Sequence, residues 1–188
     1  MGIHYFLAVR IPVRQSEAIH HFIRGKDRLS FKRWVHPLDY HITLAFLGEP
    51  PEDSHLIHLM GALADKIEGK FPPFSLEFES IHTFGHQDSP RILWLGVQAS
   101  DALADLREQI YSQCIKNGFK LDSKPFVPHI TLARKWDSKA PYTGVQAGDG
   151  LKIPPFEAAS FELLQTHPER TPKYETVRSF QLMKAGSK

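Results

Sequence analysis

Cysteine is nearly absent, with Cys114 alone among 188 residues. One thiol closes no internal disulfide and offers no cysteine cluster for zinc, and it fits a reducing compartment. Also missing is any apolar run near the roughly 18 residues that a membrane-spanning helix needs. The opening stretch MGIHYFLAVRIPVRQ has a short apolar run, with no basic leader before it and no small-residue cleavage site after it. It reads as a first strand rather than a signal peptide, so the expected setting is the cytoplasm. Neither sign of charge prevails: 23 Lys plus Arg face 21 Asp plus Glu, a formal net charge of +2. That balance demands no polyanionic partner, yet leaves room for a local basic groove. Low-complexity tracts are missing too, and only AGSK (185–188) reads as disordered.

What is present is a repeated order of elements. HYFLAVRIP (4–12) is apolar, β-prone and closed by proline, a buried strand. A helix is expected near 15–25, with Ala18, Ile19, Phe22 and Ile23 at helical spacing and Ser16 as its cap. HITLAFLG gives a strand near 41–47, and Leu56, Leu59, Met60, Leu63 and Ile67 form the stripe of a helix near 53–67. FSLEFESIHTF (74–84) alternates and reads as one strand. Then comes a strand at 91–97, a helix at 101–119 and a second HITLA strand near 128–134. Residues 135–155 read as an irregular or partly helical connection, and FEAASFELLQTH with YETVRSFQLMK as a terminal antiparallel pair. Strand, helix and HITLA thus occur twice in the same order. That pattern predicts one α+β domain over 1–188, duplicated and bilobal, with antiparallel-rich sheets flanked by helices.

The pentapeptide HITLA stands at 41–45 and again at 129–133. Side chains alternate along a strand, so Ile42 and Leu44 share one face, as do Ile130 and Leu132, and packing accounts for them. Packing gives no reason for the other face to carry His41 and Thr43 in one copy and His129 and Thr131 in the next. His and Thr two apart lie about 7 Å from each other along a strand, close enough to reach one bound group. Two imidazoles with an ordinary pKa near 6.5 can divide into a base and an acid at working pH. That division suits in-line phosphoryl chemistry, the two hydroxyls holding non-bridging oxygens. The spacing does not say which imidazole is the acid. Arg134 is either a charge neutraliser or a solvated strand end.

HITLAFLGE, PRILWLGV and FVPHITLAR together resemble the RNA 2′,3′-cyclic phosphodiesterases, or 2′-5′ RNA ligases, of the 2H phosphoesterase superfamily. The resemblance covers nearly the whole chain. It implies a bilobal fold with the site in the cleft between lobes, no metal and no other cofactor. The implied activity opens a 2′,3′-cyclic phosphate to a 2′-phosphomonoester. By the same resemblance His41 is the proton donor, His129 the proton acceptor, and Thr43 and Thr131 bind the phosphate. Substrates would be RNA ends or related cyclic nucleotides, with no membrane, no obligate protein partner and a monomeric chain. A departure lies in His4-Tyr5-Phe6, where relatives begin with a basic residue and an aromatic. Two other functions fit the same residues: a non-catalytic module that holds RNA ends, and a phosphodiesterase acting on a small cyclic nucleotide.

Among the eleven histidines, His55 with His58, His82 with His86 and His20 with His21 bring no Cys cluster and no H-E-x-x-H, so they read as solvated surface groups. Phe84 could stack on a nucleobase or belong to the core; so could Trp94. Arg91 opens the 91–97 strand and either meets phosphate or is solvated. RGKDRLSFKRW (24–34) reads as a solvated loop that could also line an RNA approach path. Cys114 continues the stripe Leu106-Ile110-Cys114 and is expected in the core.

Overall fold

The computed structural model describes residues 3–26, 28–145 and 152–183. In chain order the strands are β1 (Tyr5–Arg10), β2 (Phe31–Trp34), β3 (His41–Gly48), β4 (Phe74–Leu76), β5 (Phe78–Gly85), β6 (Pro90–Val97), β7 (His129–Trp136), β8 (Phe156–Ala158), β9 (Ser160–Thr166) and β10 (Tyr174–Gln181). The helices are α1 (Val13–Arg24), α2 (Asp53–Lys66) and α3 (Asp101–Lys116), with a 3-10 turn at Pro37–Asp39.

Eight strands form one sheet in the order β10-β9-β1-β3-β7-β6-β5, with β2 paired to β7 off that path. Its two halves correspond. Val9 pairs with Ile42 between β1 and β3, and Leu95 pairs with Ile130 between β6 and β7. One antiparallel pair, Ile42 with Ile130, joins the halves. Beyond it β3 and β7 diverge, and β2 takes the free edge of β7 at Ala133, Arg134 and Trp136. This is the expected duplicated α+β fold.

One face of the sheet is the core. Ile42, Leu44, Ile130 and Leu132 pack there with Leu56, Leu59 and Leu63 of α2 and Leu103, Leu106 and Ile110 of α3. The apolar stripes read from the sequence are the buried ones, because a helix laid on a sheet must hide its apolar face. Cys114 is fully buried in that core, and burial pushes its thiol up to about 12.

Four local expectations need correction. Ser16 does not cap α1: Pro12 precedes the helix, and the buried Ser16 hydroxyl donates to the Ile11 carbonyl at 3.2 Å. Residues 74–84 are two strands, because β4 leaves the large sheet to pair with β8. The stretch 156–167 divides in the same way, and β9 alone meets β10. Residues 31–34, expected as solvated loop, are a strand; Phe31 is buried while Lys32 and Arg33 face water. The alternation in FKRW is too short to announce a strand without its partner. Part of the 135–155 connection, residues 146–151, and the AGSK tail lie outside the described residues.

Candidate active site

The Ile42–Ile130 pair decides how the two HITLA copies meet. Continuing its antiparallel register sets Thr43 beside His129 and His41 beside Thr131, all on the face opposite the core. His41, Thr43, His129 and Thr131 line one cavity of about 170 Å³ at the centre of the sheet, together with Arg134.

Both copies also carry a β-bulge at the same letter. Thr43 pairs with Ala8 and Ala45 with Leu7, so Leu44 is passed over. Thr131 pairs with Trp94 and Ala133 with Leu93, so Leu132 is passed over. A bulge re-aims the side chains that follow it. Simple alternation would put Phe46 and Arg134 on the core face; after the bulge both line the histidine cavity. Arg134 therefore joins the site. Phe46, 55% exposed, was not singled out from the sequence, where nothing marks the bulge.

Each imidazole is held twice. Nδ1–H of His41 donates to the Asp39 carbonyl at 2.7 Å, and Nδ1–H of His129 donates to the Val127 carbonyl at 2.7 Å. A carbonyl only accepts, so Nδ1 carries the hydrogen in both rings, and Nε2 is the nitrogen left to take or give a proton. The Thr43 hydroxyl lies 3.1 Å from Nε2 of His41. Aromatic rings fix the planes. Phe6 and Tyr174 pack on His41 with centroids 4.9 and 5.2 Å away. Phe84 and Trp94 pack on His129 at 5.3 and 5.6 Å.

The halves differ in charge. The cross-strand partner of His41 is Arg10, whereas that of His129 is Gly96, where a Cβ would meet a Glu79 carboxylate oxygen at 2.8 Å. Arg10 is fully engaged, donating to Glu162 and to the carbonyls of Leu38 and Tyr174, each at 2.8 Å. Burial pulls the His41 pKa down to about 4; the bond to the Asp39 carbonyl opposes this, and the charges of Arg10, His129 and Arg134 add to it. At pH 7 His41 is therefore neutral, within a cation-rich surround that an anion would relieve.

The other expected residues fall differently. Phe84 stacks on Trp94 at 4.7 Å and borders a larger groove of about 730 Å³ that starts at His129 and Phe46. Trp94 is 9% exposed and stacks against His82 and Phe84 at 4.6 and 4.7 Å, so it is a buried support behind His129 and not an open stacking surface. Arg91 is exposed at the start of β6 and is not among the described residues that line the histidine cavity or the larger groove beside it. Among the described residues, no group of three or more His, Cys, Asp or Glu could hold a metal ion. No helix among them is long and apolar enough to cross a membrane.

Asp39, Phe6, Tyr174 and Thr166 are site residues that no spacing in the sequence signals. Asp39 is 3% exposed, and its carboxylate accepts from the backbone N–H of Lys173 and of Tyr174 at 2.8 to 3.1 Å. One residue thereby ties the loop before β10 to the carbonyl that orients His41.

Residues 12–169 match the family model of the 2′-5′ RNA ligase superfamily. A Geobacillus stearothermophilus protein named RNA 2′,3′-cyclic phosphodiesterase is 42% identical over 190 residues, 97% of this chain and 58% of its own length. This chain thus spans little more than half of that relative. A Bacillus subtilis protein of the same name is 38% identical over 182 residues, covering 95% of this chain and 96% of its own. In fold the chain resembles Escherichia coli LigT complexed with 3′-AMP, with a TM-score of 0.75, 24% identity, and 96% and 98% of the two chains covered.

Proposed function

The chain belongs to the 2′-5′ RNA ligase superfamily, and we propose that it hydrolyses RNA 2′,3′-cyclic phosphate ends to 2′-phosphomonoesters, its two imidazoles acting as acid and base without metal. The observation that carries the proposal is the paired geometry: two histidines, each with Nδ1–H on a backbone carbonyl, turn Nε2 to one small cavity that two threonines share. Relatives at 38% and 42% identity bear the name of that activity.

The step is an in-line displacement. Nε2 of His129 takes a proton from water as its oxygen bonds to phosphorus, and Nε2–H of His41 protonates O3′ as the P–O3′ bond breaks. The product is the 2′-phosphomonoester, and solvent returns the two imidazoles to their starting states. Thr43 and Thr131 donate to the non-bridging oxygens, and Arg134 offsets the charge that grows on them. Because His41 is neutral at pH 7, its proton is recruited with the substrate, whose negative charge offsets those of Arg10 and Arg134 beside the ring. An RNA 5′-hydroxyl in place of water would form a 2′-5′ linkage by the same route, in competition with hydrolysis. Phe84 and Phe46 flank the cavity as surfaces for the terminal base. The single buried thiol fits action in the cytoplasm.

The test is turnover of an oligoribonucleotide ending in a 2′,3′-cyclic phosphate, in EDTA, with the product isomer read by phosphorus NMR. A 2′-phosphate made by the wild type and lost in His41→Ala and His129→Ala supports the proposal. Binding without turnover would make the cleft a module that holds RNA ends. Turnover confined to small cyclic nucleotides would keep the chemistry and change the substrate.

A further inference from the structure

We infer that the groove between β2, β7 and the loop before β10 is a second phosphate subsite, which takes the phosphodiester on the 5′ side of the terminal nucleoside. The inference rests on the proposed reaction in the central cavity. The groove has a volume of about 530 Å³ and shares Arg134, Thr166 and Tyr174 with the histidine cavity, so the two adjoin.

Its charge is unbalanced. Arg33 on β2 stands directly opposite Arg134 on β7. Like charges in that position repel and weaken a strand pair, unless something anionic lies between them. Lys173 lines the same groove. None of the three side chains takes part in an ion pair among the described residues. The one carboxylate in the lining, Asp39, is buried and spends its oxygens on the backbone N–H groups of Lys173 and Tyr174. It therefore fixes where Lys173 leaves the chain and makes no ion pair with its ammonium. The exposed Arg33 guanidinium and Lys173 ammonium match a phosphodiester there, as a fork and a point charge, with Arg134 standing between it and the central cavity.

The flank on the other side of the histidines also carries cations, but there only Lys120 stands outside an ion pair or a ring contact among the described residues. There Lys124 is paired with Asp122 at 2.8 Å, and Arg107 lies over Tyr111 and Phe126. Phe46, Phe84, Tyr111 and Phe126 give that groove an aromatic lining. One flank thus suits a base and the other a phosphate, as a nucleotide longer than one unit requires.

Three substrates separate the parts: adenosine 2′,3′-cyclic phosphate, the same compound with a 5′-phosphate, and the adenylyl dinucleotide ending in a cyclic phosphate. The wild type is expected to favour the second and third over the first by about tenfold or more in kcat/KM, the scale of a charged hydrogen bond to phosphate. Combined Arg33→Gln and Lys173→Gln, which keep the backbone N–H that Asp39 accepts, should bring that ratio close to one. For the dinucleotide, the slope of log kcat/KM against log salt should become shallower by about 0.7 per lost contact. Equal wild-type rates on all three, or a preference undiminished in the double variant, would overturn the subsite while leaving the central reaction in place. No turnover of any of them would overturn the central reaction and the subsite together.

Discussion

Ile42 stands opposite Ile130 in the single antiparallel pair that joins β3 to β7. Everything that makes the cleft a two-histidine site follows from that one register, since a slip of one residue would turn His and Thr of one copy toward the core. The two imidazoles then face one cavity as a unit, and catalysis by a unit is not additive. His41→Ala and His129→Ala should each lower kcat by about 10²–10⁴, the range for one acid or base, and the double variant should be little worse than either single one. Single-turnover rates on a cyclic-phosphate oligonucleotide measure this. A double loss equal to the product of the two single losses would mean that the histidines act separately.

The depressed pKa of His41 makes a prediction about pH. Unfolded, this side chain takes up a proton near pH 6.5; folded, it resists until about pH 4. The stability tied to the neutral ring is therefore complete above 6.5 and is lost as pH falls toward 4, because the unfolded state binds the extra proton. Urea titrations at several values across that window should show a decline that His41→Gln makes shallower. In parallel, an NMR titration should find His41 turning near pH 4 in the free protein and at higher pH with inorganic phosphate bound. A midpoint unmoved by phosphate would refute the recruitment of its proton with substrate.

The duplicated order of elements, the helix stripes and the four HITLA side chains were legible because each rests on local periodicity. Sequence also sufficed for Cys114, whose place in a helix stripe is its place in the core. What it did not disclose depends on pairing. The bulges at Leu44 and Leu132 leave no mark in the letters, yet they bring Phe46 and Arg134 round to the histidines. β2 is four residues long, and only the edge of β7 makes it a strand. Tyr174 reaches His41 from 133 positions further along the chain, a contact that only the β10-β9-β1-β3 order creates.

Phe46 tests the value of the first bulge. Its ring is exposed between the histidine cavity and the aromatic groove, with an edge-to-face contact to His4 at 5.7 Å. As a stacking surface for the terminal base it should act on binding, not on the chemical step. Phe46→Ala is expected to raise KM by about tenfold, on the scale of one base-aromatic contact, with kcat nearly unchanged. Steady-state kinetics on the dinucleotide decide it, and a fall in kcat at constant KM would place the ring's role elsewhere.

Asp39 offers the sharpest link between a buried group and the imidazole it never touches with its side chain. Its carboxylate accepts from two backbone amides, while its own carbonyl receives Nδ1–H of His41. In Asp39→Asn one oxygen becomes an NH₂ group, which meets those amides donor to donor. The loss of a charged acceptor inside the protein should destabilise the fold by about 1–3 kcal/mol. The loop that carries Tyr174 would loosen at the same time, and with it the carbonyl that sets the ring of His41. Expected at a temperature where wild type and variant are both fully folded is a fall in kcat of about tenfold, since small misplacements of a catalytic group are costly. Denaturant unfolding gives the first number and steady-state kinetics the second. A variant that is destabilised yet turns over at the wild-type rate would show that Asp39 holds the loop and leaves His41 to the strand alone.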